Sequence, residues 1–180
     1  MDGMDARARI KQYAARAAAF QVVFVLVHFA YDWWPNGLTT FFSGIDESVF
    51  QHMKIGFWSW IFMSAGEWAI RRPVAVWDYI SSRLLGALLA PFLFTLVWYL
   101  GPALVGRMPN DFAEIVVANL SLVVAGLFAQ GIQDQVGRVH VPVPLRVACF
   151  LAAGLAVFFF VRFTIEPPWV DVFTPPVLHG

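Results

Sequence analysis

Cysteine occurs once in the 180 residues, at Cys149, so one chain can build no intramolecular disulfide, iron–sulfur cluster or cysteine-rich zinc site. It lies in an apolar run, where a free cysteine packs as a small hydrophobe. Charge is scarce too. Only 13% of residues are charged, with 12 basic against 12 acidic, and no basic stripe exists beyond the few arginines that flank apolar runs. Nucleic acid is therefore not an expected partner. The chain has no G-x-x-x-x-G-K-[S/T] phosphate loop, no H-E-x-x-H zinc helix and no G-x-S-x-G nucleophile elbow. No Ser/Gly-rich or charged linker divides it and no internal repeat is visible, which leaves one domain.

What is present is apolar. Hydrophobic residues make up 59% of the chain and the mean hydropathy is +0.67, outside the range of a soluble domain of this size. The expected fold is all-α, a polytopic transmembrane bundle of about five spanning helices in the cell membrane, with membrane lipids as its immediate partners. Residues 1–16 read as a basic, amphipathic segment lying along the membrane surface, because Ile10, Tyr13 and Ala14 recur at helical spacing opposite Arg7, Arg9 and Lys11. The bundle is expected over 17–165 and an extended, proline-rich tail over 166–180.

The first span is the apolar stretch Ala17 to Tyr31, closed by Asp32, Trp33, Trp34 and Pro35. Paired tryptophans suit an interfacial belt and not a signal-peptide cleavage site. A loop over Thr39–Gly44 leads to a second helix expected from about Asp46, with Asp46 and Glu47 in its first turn and Arg71, Arg72 and Pro73 at its end. The third span is Leu84 to Val105, containing Pro91. The fourth is Phe112 to Ala129, capped by Asn110 or Asp111 and leading into the polar run Gln130, Gln133, Asp134 and Gln135. The fifth is Leu145 to Val161. The triplet Asn119-Leu-Ser matches a glycosylation acceptor but falls in the middle of the fourth span. Ala90 and Gly126 are suited to close helix packing.

Basic residues set the orientation. With a cytoplasmic amino terminus, Arg7, Arg9, Lys11, Arg16, Arg71, Arg72, Arg83, Arg138 and Arg146 fall inside, against Lys54, Arg107 and Arg162 outside. The carboxyl terminus is then outside.

Ionisable groups in hydrocarbon are costly and collect in bundle interiors, cavities or the headgroup layer. At about 1.5 Å per residue, His28 lies roughly 6 Å below Asp32, and His52 roughly 7 to 8 Å below Glu47, so both imidazoles sit in one layer near the outer face. Helical spacing places His28 with Tyr31 and Asp32, Glu47 with Gln51 and Lys54, and Ser48 with His52. Glu114 and Arg162 reach the same layer. Two readings stand side by side. In one, these groups only satisfy each other, as Lys54 with Glu47. In the other, His28, Glu47 and His52 hold a divalent transition metal or form a proton relay, these three with Lys54 are candidate catalytic residues, and Tyr31, Ser48, Gln51 and Glu114 border the substrate. Glu67 falls about 20 Å from Lys54 along the helix, in an inner layer with Gln130, Gln133 and Asp134, where two explanations stand, a second polar cluster or an interfacial salt bridge with Arg71 or Arg72.

The stretch Gly44-Ile-Asp-Glu-Ser-Val-Phe-Gln-His-Met-Lys54 resembles an N-E-S-x-W-E-H-x-K pattern of small, uncharacterised prokaryotic membrane proteins. Val27-His-Phe-Ala-Tyr31 is similar to that family's first-helix L-H-F-x-Y segment. Phe163-Thr-Ile-Glu-Pro-Pro168, with Phe173 and Pro176 beyond, is similar to its F-T-x-x-P-P ending. Asp46 stands in place of the pattern's Asn and Gln51 in place of its Glu. The resemblance implies a helical membrane fold, singles out His28, Tyr31, Glu47, Ser48, His52 and Lys54, and implies no activity. From the residues alone the function stays open between a membrane-embedded enzyme, a transport protein for a small ion or lipid-soluble molecule, and an accessory protein without chemistry of its own.

Overall fold

The structure is a computed structural model describing residues 6–106, 108 and 110–175. In chain order its helices are α1 (Ala6–His28), two short helices α2 (Ala30–Trp33) and α3 (Gly37–Phe42), then α4 (Val49–Arg71), α5 (Val76–Val105), α6 (Asp111–Val136) and α7 (Val143–Ile165). A 3-10 turn at Asp171–Phe173 follows. Four segments, Arg7–Trp33, Val76–Leu104, Phe112–Val136 and Val143–Ile165, are long and apolar enough to cross a bilayer, so the chain is an integral, multi-pass membrane protein. The fifth long helix, α4, has the length for a crossing but is less apolar, and the reason is where its polar residues go. Gln51, Lys54, Ser59 and Ser64 are buried beside Phe50, Ile55, Phe57, Trp60 and Met63. The other helices shield α4 from lipid, which lets it carry polar side chains into the interior.

Cross-helix pairs establish the directions. Arg16, early in α1, meets Glu67, late in α4, and Glu67 meets Arg83, early in α5. Lys54, early in α4, meets Thr164, late in α7. Asp78 and Arg146 join the starts of α5 and α7. The five long helices therefore alternate up and down, with α5 packed on α4, α6 and α7. At the centre, Phe20, Phe24 and Trp60 fill the space between α1 and α4, with Phe20 and Trp60 edge to face at 5.0 Å.

Several boundaries differ from the sequence reading, each for a local reason. The basic segment and the first span are one continuous helix, because Arg16 is buried by partners on other helices and does not end at a membrane surface. Most of the expected loop over Thr39–Gly44 is α3, started by a capping box in which Asn36 Oδ1 accepts from Leu38 and Thr39 while Thr39 Oγ1 accepts from the Asn36 amide. The second long helix starts at Val49, with Ser48 as its cap, three residues later than expected. Asp46 accepts the Ser48 amide at 2.8 Å, so the two acids precede the helix. The third span starts at Val76, where Asp78 is held by Val141 and Arg146 across the bundle. The polar run after Ala129 continues α6 to Val136, as expected, whereas the tail turns back so that Phe173 packs on Phe50 at 4.6 Å. Arg107 and Pro176 lie outside the described residues.

One close approach depends on glycine. A Cβ on Gly86 would stand 2.5 Å from Trp60 Nε1 and 2.6 Å from Gln133 Oε1, between the two partners of a buried 2.8 Å hydrogen bond. Gly86→Ala is expected to cost about 1–3 kcal/mol by overpacking, lowering the thermal unfolding midpoint in detergent by several degrees. Gly66→Ala, which meets nothing within 4 Å, serves as the neutral control.

Candidate metal centre

The turn formed by α2 and α3 returns the chain beside the end of α1, and Ser43 ties it there. Its hydroxyl donates to Val27 O at 2.6 Å and accepts the Tyr31 amide at 3.1 Å. This brings His28, at the last turn of α1, against His52, in the first turn of α4, with ring centroids 5.2 Å apart. Glu47, on the segment just before α4, reaches between them. Its Oε1 is 3.8 Å from His28 Nε2 and its Oε2 is 3.5 Å from His52 Nε2. One ligand atom from each of the three residues fits in a cluster in which all lie within 4.8 Å of one another.

The hydrogen bonding of His52 decides what this cluster requires. His52 Nδ1 is 2.9 Å from Ser48 O, and a carbonyl only accepts, so Nδ1 carries the proton. In the neutral imidazole Nε2 then presents a lone pair toward the Glu47 carboxylate. Both Nε2–carboxylate separations exceed hydrogen-bond length. One added proton would make a single imidazolium–carboxylate pair here, and a divalent cation in the gap would use the carboxylate and both nitrogens together. Metal–ligand bonds of about 2.0–2.1 Å put tetrahedral ligand atoms about 3.3 Å apart, a modest contraction of the distances observed. Ser48 O is the outer-shell acceptor that such a histidine normally uses.

A cavity of about 450 Å³ opens beside His52 and Glu47. Phe94 stacks near His52 at 6.5 Å and Trp98 stacks on Phe94 at 6.4 Å, forming an aromatic wall one turn apart on α5. Tyr99, Glu114 and Asp171 line the remainder. Beneath the imidazoles Phe24 stacks on both, at 6.3 and 6.4 Å, and closes the floor.

The other sequence candidates separate into distinct positions. Ser48 orients His52 and caps α4, and Glu114 lines the same cavity as His52 and Glu47. Lys54 is not with them. It is fully buried on another side of α4, donating to Thr40 O and Thr164 Oγ1 at 3.0 Å each, because the helix starts after Glu47 and the two residues share no face. Thr40 and Thr164, and not Glu47, are therefore its partners. Gln51 is buried beneath Gly44 with its carbonyl oxygen unpartnered, and neither it nor Tyr31 lines the cavity. Arg162 pairs with Glu166. Phe94, Trp98, Tyr99 and Asp171 escaped the sequence reading, although the four-residue spacing of Phe94 and Trp98 marks one helix face.

The inner layer is a network of four charges. Arg16 donates from Nε to Glu67 at 2.7 Å and from Nη1 to Asp134 at 2.9 Å, while Arg83 contacts Glu67 at 3.0 Å and Asp134 at 3.9 Å. All four side chains are at least four-fifths buried. The expected partners Arg71 and Arg72 are exposed at the helix end instead. Comparisons with protein-family models, with curated proteins and with solved structures find no match to this chain.

Proposed function

We propose that this protein is a membrane-embedded metalloenzyme, with a divalent transition metal held by His28, Glu47 and His52 and a lipid-soluble, amphipathic substrate in the adjoining cavity. The observation that carries the reading is the Nδ1-protonated His52, whose free nitrogen faces a carboxylate and a second imidazole across a gap too wide for hydrogen bonds. Three protein ligands leave the open position characteristic of catalytic sites, and the cavity lies on that side. A metal so placed supplies a Lewis acid and a water acidic enough to ionise near neutral pH. Glu114 is the candidate group to take or return a proton across the cavity.

Transport is less well supported, since a path from this site to the inner polar layer meets Phe20, Phe24 and Trp60, all nearly inaccessible. In an accessory role the three side chains would only pair with one another, Glu47 standing 3.5 and 3.8 Å from the two imidazoles. The placement of basic residues supports a cytoplasmic amino terminus, which puts the cavity in the outer headgroup layer. The resemblance of the Val27–Tyr31 and Gly44–Lys54 stretches to a family pattern draws attention to the same three residues.

The test is metal content. Protein purified without chelator is expected to carry one zinc, iron or manganese equivalent per chain by plasma mass spectrometry and to regain it after chelation. Absence of any stoichiometric metal, with no saturable uptake by folded apoprotein, overturns the proposal.

A further inference from the structure

The cavity beside the metal centre has a chemistry of its own. Its charged lining residues, Glu47, Glu114 and Asp171, are all acids, and no lysine or arginine lines it among the described residues. Arg162, the nearby cation of α7, is engaged by Glu166. Phe94 and Trp98, stacked at an interplanar angle of 20°, and Tyr99, 44% exposed, line the same cavity. Carboxylates and aromatic rings in the lining of one cavity attract an organic cation, through charge and through the ring quadrupole. A phosphate or carboxylate entering alone would meet only repulsion outside the metal.

We propose that this cavity binds the ammonium headgroup of an amphiphile, with Glu114, Asp171 and Trp98 as its main contacts. The volume of about 450 Å³ is in the range of small-ligand sites. An apolar chain has an exit. Ile115, on the border of the cavity, is 59% exposed on the outer surface of α6, so a chain leaving past it enters lipid. Asp171 is anchored by Phe173, two residues on, whose ring lies 4.6 Å from Phe50 and 5.3 Å from Phe163. The tail thus supplies one wall of the site. As a statement of substrate class the proposal rests on the metalloenzyme reading, but cation binding can be measured without it.

The experiment uses the full chain in maltoside micelles and compares octyltrimethylammonium, octyl sulfate and tetramethylammonium by saturation-transfer NMR titration. Octyltrimethylammonium is expected to bind saturably and on the order of tenfold more tightly than tetramethylammonium, since the chain adds buried apolar surface. Octyl sulfate is expected to show no saturable binding. Trp98→Leu and the double variant Glu114→Gln/Asp171→Asn should each weaken octyltrimethylammonium on the order of tenfold. Wild-type protein stripped of metal by a chelator should retain it. Equal binding of octyl sulfate to the wild type overturns the cation site, a result that no folding defect in a variant can produce. Equal binding of tetramethylammonium overturns the amphiphile and leaves a free-cation site. Unchanged affinity in both lining variants overturns the assignment of contacts. Loss of cation binding with metal content intact strikes this inference alone, and loss of metal with cation binding intact strikes only the metalloenzyme.

Discussion

Replacing His52 by alanine is expected to weaken metal binding by about a hundred- to a thousand-fold, since structural zinc binding of about 10–16 kcal/mol is shared among four ligands. His28→Ala should cost a similar factor, because each removes one of two nitrogen donors from the same gap. Glu47→Gln is expected to cost less than either. Its side chain is 66% exposed on the segment before α4, where water can take the vacated position. Metal affinity by competition with a chromogenic chelator checks the order. Gln51→Ala is the control, one position before His52 but directed beneath Gly44, and should leave affinity unchanged. A loss at Gln51 equal to that at His52 would mean the measurement reports helix disruption and not ligation.

The same comparison shows what a single chain can disclose about such a site. His28 and His52 are legible as a pair because depth along a helix follows from residue count alone, and a short connection makes the two helices antiparallel neighbours. Azimuth is harder. The face on which Glu47 and Lys54 lie depends on the residue at which α4 begins, and Ser48 and Asp46 set that start through a cap and a turn that compete with an earlier acidic first turn. A shift of three residues separates Glu47 from the helical pattern and aims it at the histidines, while Lys54 goes to Thr164. The cavity wall was out of reach for another reason. Phe94 and Trp98 look like any lipid-facing aromatics until α4 and α6 are placed beside them, and Asp171 joins only because Phe173 folds the tail back.

The inner network is where the largest loss of stability is expected. Arg16→Leu removes one of two cations that together balance Glu67 and Asp134, leaving Asp134 with the 3.9 Å contact to Arg83 as its remaining ion pair among the described residues. Breaking a buried pair by deleting one partner costs about 3–5 kcal/mol, because an uncompensated charge stays behind. The expected result is a drop in the detergent unfolding midpoint of about 6–20 °C, at roughly 2–4 °C per kcal/mol for a chain of this size. Removing both charges tests the cause. In Arg16→Leu/Asp134→Leu the remaining Arg83–Glu67 pair, 3.0 Å apart, is balanced, and an apolar replacement for a buried ion pair is often close to neutral. The double variant is therefore expected to be more stable than either single variant, with a coupling energy outside the additive range of about 0.5 kcal/mol. Additive losses in that cycle would show that Arg16 stabilises α1 by packing its aliphatic stem and not by answering the charges on α4 and α6. In that case the network loses its role in fixing the register between α1 and α4, the register on which the meeting of His28 and His52 at the opposite end of both helices depends.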